Sequence, residues 1–130
     1  MPHPAYCTRV DAKLSKVLYA DICKTLRKGK LYRNPDLTAQ HLAELLNTNT
    51  RYIAAAIQLN TNDNFSNLLN SIRLADAERM LRTKPDYSAE EIALSTGFGS
   101  RQTFYRIFVK TYGVTPRQFR LQCKEEQTDA

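Results

Sequence analysis

Few glycines, few prolines and no long apolar run set the first limits on this chain. Four Gly and five Pro in 130 residues leave long stretches without a breaker. Apolar residues recur at spacings of three and four rather than two, so the pattern predicts an all-α protein without a sheet. No stretch approaches the roughly 20 consecutive apolar residues of a membrane span, and the first thirty positions lack the basic start and apolar run of a secretion signal; the expected location is the cytoplasm. Three cysteines, Cys7, Cys23 and Cys123, are too widely spaced for a C-x-x-C pair and odd in number, which argues against a disulfide framework or a structural zinc site. Also missing are a nucleophile with a paired His, a carboxylate pair set for acid and base work, and a Gly-rich phosphate loop, so neither an enzyme nor a cofactor is expected. His41 has no partner at helical metal spacing and reads as a surface or cap residue.

Positive charge is abundant. The chain carries 19 Lys plus Arg against 13 Asp plus Glu, a net charge of +6, which suits a polyanionic partner. The length suits one compact domain. Residues 1–10, with two prolines, read as a flexible arm. Residues 11–36 read as a covering helix and its connector: Leu14, Val17, Leu18, Ile22 and Leu26 form an apolar stripe, Gly29 closes the helix, and Asn34-Pro35 breaks the period. The Lys-rich face of that helix reads as solvated.

An internal repeat about fifty residues apart organises the rest. Thr38-Ala39-Gln40-His41-Leu42-Ala43 is echoed by Ser88-Ala89-Glu90-Glu91-Ile92-Ala93, each opening on a hydroxyl N-cap, with Glu91 completing a capping box in the second copy. Four residues past each alanine stands a residue that tolerates positive φ, Asn47 or Gly97. New helices then begin at Asn49 and Ser100, pinned by Ile53 and Ile57 or by Phe104 and Phe108. Helix, tight turn, helix is therefore expected over 38–60 and again over 88–112. Between them, 64–83 reads as one linker helix with Phe65, Leu68, Leu69, Ile72, Ala75, Met80 and Leu81 inward and Pro85 past its end. A helix of about 18 residues is roughly 27 Å long, enough to space two units. A final helix over 115–124 starts at Thr115-Pro116, leaving 125–130 as a tail.

In a helix-turn-helix the second helix enters the major groove, so its outer face should lack acids and carry groups able to read base edges. Ser100 to Tyr112 holds no Asp or Glu. Arg101, Gln102, Thr103 and Arg106 share much of one face and suit guanine, adenine and the thymine methyl, while Lys110 and Ser100 suit phosphate. The first unit is chemically poorer: Arg51 is its only charge between Asn49 and Asn60, Ala54 and Ala55 cannot donate hydrogen bonds, and Thr50 and Gln58 suit phosphate. The second unit should read bases and the first should position the protein. Arg73 and Arg120 are expected to tie helices together.

Residues 37–120 resemble the AraC/XylS DNA-binding domain. The resemblance is carried by Ile92-Ala93-Leu94-Ser95-Thr96-Gly97-Phe98, then Phe104, Arg106 and Phe108, then Tyr112-Gly113-Val114-Thr115-Pro116 and Arg120. Earlier, Ile72-Arg73-Leu74 with Ala77 and Leu81 is similar to the family's linker helix, and Leu42-Ala43 with Tyr52-Ile53 to its first unit. The resemblance implies two helix-turn-helix subdomains joined by a long linker helix, about seven helices in all, two recognition helices in successive major-groove segments, and base contacts at Arg51, Ala54, Ala55, Arg101, Gln102, Thr103 and Arg106. The chain departs from the family at Asn47, usually Gly, at Ala55, usually Arg, and at Gln58 and Val109, usually Lys. Double-stranded DNA is the expected partner, with RNA polymerase a further candidate. Family members often carry a sensing domain, but the first 36 residues are too short to fold as one, so either the protein works alone or this is a fragment, and no small-molecule site is evident in this chain. The competing class is a helical protein-interaction module that has lost sequence-specific DNA binding.

Overall fold

The computed structural model describes residues 12–129, so the reading of 1–10 as an arm falls outside the described residues. Among the described residues seven α-helices follow one another: α1 Ala12–Arg27, α2 Ala39–Leu45, α3 Thr50–Thr61, α4 Phe65–Thr83, α5 Ala89–Ser95, α6 Arg101–Tyr112 and α7 Pro116–Asp129. A 3-10 segment, Lys28–Arg33, links α1 to the rest, with Gly29 at φ 60° where the helix ends. No strand occurs among the described residues. The chain divides, between Leu69 and Asn70, into two compact units, one for each expected helix-turn-helix. Each helix-turn-helix has its own core.

In the first unit, Leu18, Ile22 and Leu26 lie four residues apart on α1 and are fully buried, as are Leu42, Ile53 and Ile57. α1 packs against α3, and the seam is held by a polar clamp. The Asn60 amide donates to Ser15 Oγ at 2.8 Å and to the Ala56 carbonyl at 2.7 Å, which satisfies the buried Ser15 hydroxyl. Val17 was expected in the apolar stripe but is 49% exposed. With buried positions at 18, 22 and 26, residue 17 falls about 100° off that line, and Ser15 takes the inward place instead.

The second unit is built on aromatics. Phe98, Phe104, Phe108, Tyr112 and Phe119 form a chain of rings with centroids 4.5 to 5.9 Å apart, each such pair contributing about 1 kcal/mol beyond its buried area. Leu74, Ala77, Met80, Leu81, Ile92 and Ala93 close the core around them. On α4 the inward residues differ from expectation: Ala75 is exposed, Phe65 and Leu68 are half-buried, and Leu74 and Ala77 are buried. A helix that supplies Leu69 to one unit and Leu74 to Leu81 to the other buries more than one stripe, so a single-face reading misplaces some residues.

Two groups tie α6 and α7 to α4. The Tyr112 hydroxyl donates to Glu78 at 3.2 Å, Glu78 also pairs with Arg82, and the Arg82 guanidinium lies 5.1 Å from the Phe119 ring centre. Burial, reinforced by the Glu78 carboxylate, pushes the Tyr112 phenol up to about 12. Arg120 donates from Nε to the Leu81 carbonyl and from Nη2 to the Lys84 carbonyl, at 3.4 and 3.2 Å, where the helix end leaves acceptors unsatisfied. Arg73 is buried, and that burial lowers its pKa. α7 runs past the expected end at 124, since no Gly or Pro stands between Arg117 and Asp129 to stop it.

Two outcomes are expected. Thr48 Oγ1 is buried without a hydrogen-bond partner, so Thr48→Val should raise stability by about 1 kcal/mol, read as a higher urea midpoint at unchanged slope. An unchanged or lower midpoint would contradict the assignment. Because the folded phenol of Tyr112 titrates above the usual tyrosine value near 10, its contribution is intact below about pH 10 and lost as pH rises through about 12. Alkaline absorbance titration should therefore show a late phenol component near pH 12 that is lost in Tyr112→Phe.

Candidate nucleic-acid interface

The turn of each unit is set by one backbone geometry. At the end of α2, Asn47 adopts φ 56°, its N–H donates to Glu44, and the Thr48 N–H reaches back to the Ala43 carbonyl at 2.9 Å. At the end of α5, Gly97 adopts φ 98° and the Phe98 N–H reaches the Ala93 carbonyl at 3.0 Å. A left-handed residue followed by this long backward bond is a Schellman turn, which favours an apolar residue just after it. Phe98 meets that preference by entering the core; Thr48 occupies the equivalent place with a hydroxyl. The next helix then starts on a side-chain cap: Asn49 Oδ1 accepts from the Tyr52 N–H at 3.0 Å, and Ser100 Oγ from the Thr103 N–H at 3.1 Å.

With Phe104 and Phe108 fully buried, the opposite side of α6 is fixed by the helical period. Arg101, Gln102, Tyr105 and Arg106 are exposed and line a shallow depression of about 370 Å³. Lys110 is exposed one turn beyond Arg106. Among the described residues neither Arg101 nor Arg106 pairs with a carboxylate. Thr103 is half-buried and its Oγ1 accepts from Ser100 Oγ at 2.9 Å, so it presents mainly its methyl. Ser100 is also half-buried, and its hydroxyl is committed to the cap. That leaves less of it for phosphate than the sequence suggests.

On α3 the fully buried Ile53, Ala56 and Ile57 leave Thr50, Arg51, Ala54 and Gln58 exposed. Ala55 is half-buried. The Gln58 amide donates to Asn62 Oδ1 at 2.8 Å, at the left-handed C-cap of the helix. This face offers one cation and a small apolar patch.

Sequence reasoning missed three features around α6. Tyr105, 39% exposed, lines the depression beside Arg101. Thr115 and Gln118 form a complete reciprocal capping box, Oγ1 accepting from the Gln118 N–H at 3.0 Å and Oε1 from the Thr115 N–H at 2.9 Å, a pattern legible as T-x-x-Q. The Tyr112 to Glu78 bond spans 34 residues and had no local signal. In the expected box at Ser88, the Glu91 carboxylate accepts instead from the Ser88 hydroxyl at 3.3 Å.

Comparison with known proteins gives one answer at each level. A helix-turn-helix domain family of the AraC type matches residues 42–122. The chain is 32% identical over 89 residues to the uncharacterized transcriptional regulatory protein YesN of Bacillus subtilis, 67% of this chain and 24% of that protein. It is 39% identical over 61 residues to the urease operon transcriptional activator of Escherichia coli, 47% of this chain and 20% of the activator. The chain thus spans about a quarter or less of these relatives. Among solved structures, the C-terminal domain of the response regulator yesN from Fusobacterium nucleatum superposes with a TM-score of 0.71 at 26% identity, covering 79% of this chain and 97% of that one. The C-terminal domain of AraT, a response regulator from Geobacillus stearothermophilus, gives 0.70 at 27% identity, covering 88% of each.

Proposed function

The chain belongs to the AraC-type helix-turn-helix family, and on that footing we propose that it is a transcription regulator that binds double-stranded DNA by sequence. In this reading α6 and α3 each enter a segment of major groove, α6 reading bases and α3 mainly positioning the protein. The observation that carries it is the outer face of α6, where Arg101, Gln102, Arg106 and Lys110 are exposed together and no acid interrupts them.

Gln102 and Arg106 lie four apart and so side by side. The guanidinium can bond guanine O6 and N7 together, the amide can bond adenine N6 and N7, and the Thr103 methyl can touch a thymine methyl. Lys110 reaches phosphate. On α3, Arg51 is the one charged contact, Ala54 and Ala55 can meet thymine methyls or sense shape, and Thr50 and Gln58 approach the backbone. RNA polymerase is the partner through which such a protein would act at a promoter; the E. coli relative is named as a transcriptional activator. One feature favours a protein-interaction module instead: the first unit exposes Leu45 and Leu59, each 61% exposed, besides its alanines.

Selecting bound duplexes from a random pool decides between them. The regulator reading expects an enriched site that competes far better than random duplex, with affinity falling steeply as salt rises. Sequence-independent binding at every salt concentration refutes it, and a stoichiometric protein partner on residues 100–110 with no DNA affinity establishes the alternative. On the enriched site, Arg106→Ala should cost about 1 to 3 kcal/mol and relax one base position; an unchanged base preference would remove Arg106 from the readers.

A further inference from the structure

We infer that the cleft bounded by α7 and the starts of α5 and α6 seats the DNA backbone beside the groove that α6 reads, with Arg117 and Lys124 as its phosphate contacts. This rests on the DNA-binding function proposed above and adds two residues to it. The cleft holds about 520 Å³ and lies wholly within the second unit. Its lining includes Arg101, Arg117, Arg120 and Lys124 and no carboxylate. Such a single-sign surface suits a polyanion.

The four cations divide by task. Arg120 turns its guanidinium onto the Leu81 and Lys84 carbonyls, so it serves the fold. Arg117 and Lys124 are exposed and seven residues apart, two turns along one face of α7 and roughly 10 Å along its axis. Two separate phosphates can therefore be met.

Continuity with the base-reading face selects DNA over an acidic protein segment. Arg101 and Tyr105 line both the shallow depression on α6 and this cleft. A helix about 10 to 12 Å across fills a major groove about 12 Å wide, so the sugar-phosphate strands that border the groove must pass along its flanks. The flank made by Arg101 and Tyr105 opens on the cleft. The half-exposed Leu121 in the lining offers an apolar surface for a deoxyribose. Contacts of this kind hold register and carry no sequence information directly.

The test uses the full chain, Arg117→Ala, Lys124→Ala and the double variant, each binding an enriched duplex and a random duplex across 50 to 200 mM salt. Each substitution should reduce the slope of log affinity against log salt by about 0.9, and the double by about twice that. The loss should be equal on both duplexes with base preference unchanged, and Arg117→Lys should restore the slope. Slopes identical to wild type, or losses confined to the enriched duplex, overturn the inference. So does wild-type DNA binding in the variants combined with lost transcription by purified RNA polymerase, which would make the cleft a protein site. Wild type without any duplex preference would sink the proposed function, while the slopes on random duplex would still decide the cleft.

Discussion

Everything in each unit depends on a single residue turned to positive φ at the end of a seven-residue helix. Asn47 and Gly97 do this, and the backbone then folds back so that the N–H of the very next residue bonds the alanine carbonyl. That bond brings the following residue inward and starts the next helix within three residues. Ala43 and Ala93, both buried, are small where the two helices of each unit meet. A residue unable to reach positive φ would cost about 1 to 2 kcal/mol at the turn and misdirect the helix that follows, along with every side chain it presents.

The same device gives unequal results in the two units, and the inequality begins one residue later. Phe98 continues from its turn into a run of five rings that reaches Phe119 on α7, so α6 is held from its first turn to its last. Thr48 at the matching place contributes a buried, unpartnered hydroxyl to an aliphatic core, and α3 depends on Ile53, Ala56, Ile57 and the Asn60 clamp to α1. The better anchored helix is also the one with the richer polar face. Precise presentation matters more for bidentate base contacts than for backbone contacts.

Local rules made much of this legible in advance. N-caps at Thr38, Asn49, Ser88, Ser100 and Thr115, the positive-φ residues at 47 and 97, and the inward phenylalanines each act over four or five residues, and each appears where its sequence signal stands. The exposed faces of α3 and α6 followed from those phenylalanines and isoleucines by periodicity alone. What could not be read depends on more than one neighbour. A single apolar stripe puts Ala75 inward, but the helix serves two cores and leaves it exposed. The Glu78 to Tyr112 bond and the carbonyl contacts of Arg120 join residues more than 30 apart. The cleft beside α6 needs four elements to exist at all.

Charge is placed along the helices against their dipoles at several of the starts. A helix start is electropositive, so acids are favoured there and cations disfavoured, by a few tenths of a kcal/mol at exposed sites. α5 obeys this with Glu90 and Glu91 in its first turn. α3 and α6 break it, since neither has an acid in its first turn and Arg51 and Arg101 sit there instead, as Arg117 does in α7. Nothing in the fold compensates, since neither Arg51 nor Arg101 pairs with a carboxylate among the described residues. Local rules broken without structural gain are the mark of a surface kept for a partner. A polyanion laid on either helix start would turn this cost into attraction, because that helix's dipole and its arginine would then face the same negative charge.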